Sequence, residues 1–555
     1  MKKKLLAVGV AATLGMMSGV ASAQVQLDAG GVGAINLIPY YSVQGGNATL
    51  ISIVNTDTLN GKAVKVRFRG AEWSDDVFDF QIFMSPADVW TGAVSLSSGA
   101  VKMTTTDSSC TLPASVNQNF VTIRLDPASA TTGALEGYVE IITMADIPED
   151  LIEGVGEDFD NDGVANEGPV TSALWTNIKH PADAAPPCKA DGSLLAGLDE
   201  DNALVAAATV AQQNWMDDPT NSLTTSVTVI NVPSSKAFTT NATAVSVTNG
   251  VKQYFRQANE AIGYSLDQSS DRIFAAAGSD LGTRGTSLPM FQFDLPDLST
   301  PLDTTYDVGS GADATLMRDA LTLLLSKSSA ITEYETSDSI LGATDVVLSQ
   351  PTRRYHYDYI ATESGDTPDR NINGGAWDVY GEDGTVYDAL DGASNRVPVG
   401  APGFWDREEN TLVTSDDIVI SPTPPGVTLE FSLKGEVSVV SINNGGIPSG
   451  ALGAQLTADD YTATGTAGVF ANGWAVLSTI AEACTATNQA ASNCDGLGYT
   501  DQYSFSETAV VGDRVAGGGG GALPVIGYTA QNVFNAAVGS AGTNYGLTYP
   551  LRYRP

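Results

Sequence analysis

The sequence predicts a mainly β protein with minor α, built as antiparallel β-sandwich domains with helical insertions. Three observations predict it. Short runs rich in β-branched and aromatic residues recur from Ile35 onward, separated by turn chemistry. Gly, Ser, Thr, Ala and Val are abundant while only 16% of residues are charged. Polar and apolar residues alternate with period two in segments such as KVRFRG, where Lys65, Arg67 and Arg69 interleave with Val66 and Phe68.

The elements follow in order. Residues 1–23 form a secretory signal peptide: Lys2, Lys3 and Lys4, then an apolar run, then Ala21-Ser22-Ala23 as cleavage site. A membrane anchor is the alternative, but the run is short and rich in Gly and Ala. Residues 24–145 read as an N-terminal β-sandwich-like domain, with INLIPYYSV, ATLISIVN, AVKVRFRG, DVFDFQIFM, FVTIRL and GYVEIITM as its strands. The polar face of KVRFRG and its apolar face are those of a half-buried strand.

Residues 146–220 are an acidic and helical insertion. Asp146 to Glu167 holds nine acidic residues and no basic one. Helices are expected over Val170–His180 and Asp199–Met216, the second with acids at its start, where the helix dipole favours them. Residues 221–420 form a central mixed β/α region. Its clearest helix is Asp313–Ser329, whose Leu316, Met317, Leu321, Leu324 and Leu325 make an apolar stripe suited to core packing. Residues 421–555 form a C-terminal β-rich region that begins at the stiff SPTPP and ends in YGLTYPLRYRP.

Charge sets the partners. The formal net charge is −37, and removal of the three signal lysines takes it to about −40. Nucleic acid, whose phosphates need Lys and Arg, is excluded as a partner, and so is docking on anionic lipid through a basic patch. The same charge favours solubility and attraction for divalent cations. Such a cation has a candidate site in DFDNDGVANEG. Asp158, Asp160 and Asp162 supply hard oxygen ligands, Gly163 permits the bend, Val164 offers its carbonyl, and Asn166 and Glu167 complete the set. Pro169 stands where an EF-hand has its bidentate Glu, so the expected cofactor is Ca2+ at weak, extracellular-grade affinity. A solvated acidic loop is the alternative. The segment resembles the DxDxDG loops of thrombospondin type 3 and dockerin-like calcium repeats.

Four cysteines behind a signal peptide point to disulfides. Three pairings exist. The favoured one joins Cys484 to Cys494 across a short loop and Cys110 to Cys188 around the acidic segment. None has metal-ligand spacing.

Catalytic residues are not expected. The two histidines, His180 and His356, read as structural, and G-x-S-x-G and H-E-x-x-H are absent. Gly517–Gly521 lacks the G-K-[ST] of a phosphate loop, and DREEN at 406–410 reads as an ion pair or turn. An outer-membrane barrel, with longer alternating strands and a terminal aromatic, fits less well.

The ordered set LIPYYSVQGGNATLISIVNT, KVRFRG, DFQIFMSPADVWTG, the Cys110 and Cys188 pair, SVTVINV, QPTRR, DREEN, ISPTPP, LPVIGY and YGLTYPLRY resembles a largely uncharacterised family of secreted proteobacterial cell-surface proteins. The composition is similar to that of surface-layer (S-layer) proteins. The resemblance implies export to the Gram-negative outer surface or extracellular space, with the periplasm as the alternative, and no activity. The function expected is a non-enzymatic, envelope-associated structural protein that self-associates with calcium. An extracellular adhesin is the second reading and a secreted hydrolase the third.

Overall fold

The computed structural model describes residues 25–72, 74, 76–122, 131–151, 170–182, 184–196, 215–250, 252, 296–298, 300, 317–353, 358–360, 369–371, 396–400, 402–408, 431–443, 450–454, 458–462, 464–465, 468–480, 522–538 and 542–554. Strands dominate it. The first part of the chain contributes β1 (Val25–Leu27), β2 (Ile35–Ser42), β3 (Asn47–Asn55), β4 (Gly61–Gly70), β5 (Asp76–Met84), β6 (Val89–Ser97), β7 (Ala100–Thr104), β8 (Cys110–Leu112) and β9 (Glu136–Ile147). A short ladder, β10 (Asp150–Leu151) with β11 (Val170–Thr171), follows. Next come β12 (Leu223–Asn231), β13 (Lys236–Asn241) and β14 (Thr243–Val247).

These strands build two antiparallel sheets. One has the order β1-β14-β2-β9-β4-β5-β8, the other β13-β12-β3-β6-β7. Strands β12–β14 therefore complete sheets begun by the N-terminal segment. The sheets face each other across a core that includes Val64, Val66, Phe68, Phe80, Trp90 and Ile141. Phe78 and Phe120 stack there with centroids 5.0 Å apart. The fold class read from the sequence is the one found.

The second part contributes β15 (Ser326–Lys327), β16 (Ser329–Glu335), β17 (Ala343–Ser349), β18 (Asp358–Ile360), β19 (Asp369–Asn371), β20 (Arg396–Val399), β21 (Gly403–Asp406), β22 (Phe431–Lys434) and β23 (Val437–Asn443). It continues with β24 (Ala458–Thr462), β25 (Thr464–Gly465), β26 (Gly468–Val469), β27 (Asn472–Ser478), β28 (Leu523–Pro524), β29 (Ile526–Asn535), β30 (Thr543–Pro550) and β31 (Arg552–Arg554). A five-stranded sheet, β24-β23-β17-β29-β30, packs on a four-stranded one, β21-β27-β16-β31. The ladder β23–β24 is parallel.

Sheet β24-β23-β17-β29-β30 is buried on both faces near its centre. Val346 and Leu348 point into the core shared with β16 and β27, while Val347 joins Tyr40, Tyr138, Phe238 and Tyr528 in a core shared with the first two sheets. A strand covered on both faces needs consecutive apolar residues, which the VVL of β17 supplies.

Helices are few. Ala173–Ile178 lies within the predicted Val170–His180, and the Ser172 side chain caps it by accepting from the Trp175 N–H. The predicted helix Asp313–Ser329 is described from Met317 and ends at Leu325. It stops there because Ser326 and Lys327 pair with Pro524 and Leu523. Its stripe packs as expected: Met317, Leu321 and Leu325 are buried against Ile35, Leu37 and Ile142. The helix expected over Asp199–Met216 lies almost wholly outside the described residues.

Candidate functional site

The six calcium-loop residues predicted from the sequence, Asp158, Asp160, Asp162, Val164, Asn166 and Glu167, lie outside the described residues, as do Cys484, Cys494 and His356. Among the described residues no group of three or more His, Cys, Asp or Glu side chains is arranged to hold a metal ion. What the structure brings together is the predicted Cys110–Cys188 pair, a serine-rich cluster around His180, and a set of buried charges that sequence reasoning placed in solvent.

The bridge joins β8 to the turn at Pro187–Lys189, with Cα atoms 6.0 Å apart and a sequence separation of 78. It closes the acidic segment into a covalent loop. Beside it sits His180. Its Nε2 is 3.2 Å from Ser108 Oγ, and its Nδ1 is 3.3 Å from Ser85 Oγ and 3.8 Å from Asp88 Oδ2. A hydroxyl, an imidazole and a carboxylate in this order can in principle relay a proton. Here Asp88 is committed to its own loop. Its Oδ2 accepts from the Ser85 N–H and from Ser109 Oγ, and its Oδ1 accepts from the Val89 N–H. Asp107 likewise accepts from the N–H groups of Ser109 and Thr91. The cluster therefore ties the loops at 85–88 and 107–109 to residue 180, the second loop being next in sequence to Cys110, which the disulfide ties to Cys188.

The larger constellation is centred on β4. Its polar face of Lys65, Arg67 and Arg69, expected to meet water, is buried, each at most 1% exposed, and so is Lys62 near the start of the strand. Register supplies their partners. Arg67 stands opposite Asp79 on β5 and Glu140 on β9, and Lys65 opposite Gln81. Lys65 pairs with Asp79. Arg67 Nε donates to Asp76 Oδ2 at 2.9 Å, and its Nη1 donates to the Pro296 carbonyl at 2.9 Å and lies 3.6 Å from Glu140 Oε2. Arg69 Nε donates to Glu140 Oε1 at 3.3 Å. At the end of the strand Lys62 lies between Asp57 and Asp146, 2.8 and 2.6 Å away, and donates to Thr220 Oγ1.

Burial works on the two acids beside Lys62 in opposite balance. Desolvation pushes the Asp146 carboxyl up against the pull of Lys62. Around Asp57, desolvation is weaker than the hydrogen bonds from Lys62 and from the Asn60 and Leu59 N–H groups, which hold it at about 2. Burial also raises the hydroxyls of Tyr40 and Tyr41, helped by the charge of Glu136.

The seam has a lid drawn from the second part of the chain. Tyr138 Oη donates to the Pro351 carbonyl at 3.2 Å, Arg353 Nη1 donates to the Gly435 carbonyl, and the Glu436 N–H donates to the Ala71 carbonyl at 2.9 Å. QPTRR, a motif without an assigned place in the sequence, is thus part of the cover over β4 and β9. Sequence reasoning missed the seam because alternation reports that a face is polar, not what lies over it. The available signal was the presence of acids at matching alternate positions in DVFDFQ and YVEI.

DREEN places Arg407 beside Glu335 at 3.6 Å, with Arg407 68% exposed, so this is a surface pair. Comparison with known families, curated proteins and solved structures finds no match for this chain.

Proposed function

We propose that this chain is a secreted, non-catalytic structural protein of the Gram-negative cell surface, a calcium-stabilised subunit of a surface layer or related envelope assembly. The observation that carries this reading is the seam on β4. It pairs buried cations with buried carboxylates, so they nearly cancel inside the fold of a chain whose net charge is −37. A braced β scaffold in a strongly acidic chain suits a subunit whose contacts are regulated by divalent cations, because Ca2+ screens carboxylates that would otherwise repel between copies. The Asp158–Glu167 loop is the proposed intramolecular calcium clip, and the 110–188 bridge flanks it.

Electron microscopy of the purified mature protein across a calcium series tests the assembly. Ordered arrays that dissolve on chelation are expected; their absence at every calcium concentration ends the reading. The loop has its own test. Asp160→Ala is expected to weaken calcium binding in calorimetry by at least tenfold and to remove any calcium-dependent rise in Tm. An unchanged variant means the loop is not a site.

One observation favours the second reading, an extracellular ligand-binding protein. Trp405 and Trp474 oppose each other on β21 and β27, stacked 4.1 Å apart and only partly buried. Half-open indoles on a sheet face suit the apolar face of a sugar ring. Saturable binding of a neutral glycan, lost in Trp474→Ala, would favour this reading over assembly.

A further inference from the structure

Among the described residues the sheet β24-β23-β17-β29-β30 ends at β30, whose partner is β29. One face of β30 is covered. Asn544 Nδ2 donates to the Ser234 carbonyl at 2.8 Å, and at Gly546 a Cβ would come within 2.2 Å of the Ala237 carbonyl oxygen, so β13 lies directly against it. Strand alternation puts the next residues on the opposite face. There Tyr545, Leu547 and Tyr549 are 44, 40 and 37% exposed. Three large apolar side chains in a row on an edge strand are what natural sheets usually avoid or guard with charge. No charged residue lies within β30 to guard it.

Two further features point to the occupant. The stripe is symmetric: Tyr545-Gly546-Leu547-Thr548-Tyr549 presents Tyr, Leu, Tyr in either direction. The charge is also local. No Asp or Glu follows Asp513, and the end of the chain carries Arg552 and Arg554, both exposed, in a protein with a net charge of −37. This terminal stretch therefore carries no acidic side chain of its own to set two copies of β30 against each other.

We propose that β30 is a self-pairing edge: two copies of this chain join their β30 strands antiparallel about a two-fold axis at Leu547. Leu547 then faces its own counterpart, and Tyr545 of each copy faces Tyr549 of the other. Main-chain hydrogen bonds supply the pairing and the stripe supplies the register. A two-fold contact uses the same patch twice, which a symmetric stripe satisfies. The contact is small beside the roughly 1,200 Å² of a stable isolated complex, so its strength comes from repetition in an array. The proposal rests on the self-assembly reading and names one of its contacts.

Single-cysteine variants of the mature chain test it under mild oxidation, with the unsubstituted chain and Leu59→Cys, at a position 75% exposed, as controls. Leu547→Cys is expected to give at least fivefold more covalent dimer than Leu59→Cys. Tyr545→Cys and Tyr549→Cys are expected to stay near control when alone and to cross-link when mixed. Leu547→Asp is expected to lower self-association in sedimentation with its thermal melt unchanged. Dimer at control level from Leu547→Cys, or equal cross-linking from Tyr545→Cys alone, overturns the two-fold register. Flotation of the wild type with neutral lipid vesicles that Leu547→Asp abolishes, without cross-linking, assigns the stripe to lipid and also overturns it. Arrays that form equally well with Leu547→Asp reject this contact and keep the assembly reading. Cross-linked Leu547→Cys dimers from a chain that never forms arrays keep the contact and reject the lattice.

Discussion

Asp345 shows how one carboxylate can hold a junction and still oppose folding. It is fully buried on β17, where Oδ1 accepts from Ser441 Oγ at 2.7 Å and Oδ2 from the Leu452 N–H at 2.7 Å. Burial pushes its pKa up to about 6 against these hydrogen bonds and the attraction of Lys236. The folded state therefore binds the proton more tightly than the unfolded state, whose carboxyl titrates near 3.8. The stabilisation is complete below the unfolded value and is lost as pH rises from about 4 to about 6. We expect denaturant melts to show a fall of about 3 kcal/mol from this residue across that window, and Asp345→Asn to flatten it. Gly450 lies over the same carboxylate, and a Cβ there would sit 2.5 Å from Oδ2. The disulfide is the other residue-scale brace. Replacing both Cys110 and Cys188 with Ser should cost about 2–4 kcal/mol, read as a lower midpoint in urea. This bridge stood among the pairings the sequence allows; the hydrogen bonds of Asp345 did not, because its partners lie about 100 residues away.

For single elements, the sequence reported most where one face meets a core. β12 alternates buried and partly buried residues through LTTSVTVIN, and the helix stripe at Met317, Leu321 and Leu325 is buried as its spacing implied. It reported least where tertiary contacts override the local pattern. Lys327 continues a helical run in sequence, yet pairing with β28 makes it a strand. β4 is the sharper case, since every one of its ten residues is buried. Its cations are legible as an alternating polar face, but their burial depends on carboxylates of β5 and β9 and on cover from distant segments. Removing one member leaves its partners charged in a dry site. Arg67→Ala should destabilise by about 3–5 kcal/mol, well beyond a surface arginine, with thermal unfolding as the readout. Gly137 is as constrained: a Cβ there would meet the Arg69 carbonyl at 1.8 Å, so Gly137→Ala should open the β4–β9 ladder and speed hydrogen exchange along it.

Across the whole molecule, the described strands from both parts of the chain share one interior. Val347, Val437 and Tyr528 pack with Tyr40, Tyr138 and Phe238, and Asn47 Nδ2 donates to the Leu452 carbonyl at 2.7 Å across the same boundary. A junction this apolar should make the two sandwiches unfold together. Calorimetry is expected to show one transition for the wild type and a split or broadened one for Tyr528→Ala, which empties the junction. None of this was readable along the chain, because each sheet advertises only that it is covered, not by which other sheet. The candidate calcium loop remains a matter of sequence pattern alone, while the open β30 edge emerged from topology.

The buried face of β4 has a consequence for resistance to proteolysis. Proteases of the trypsin type cut after lysine and arginine, and this chain has only 27 such residues. Lys62, Lys65, Arg67, Arg69 and Arg353 are sealed within the fold. The residues that brace β4 against β5 and β9 are thus also cleavage points withheld from digestion, and the native protein should outlast its unfolded chain by a wide margin in such an enzyme.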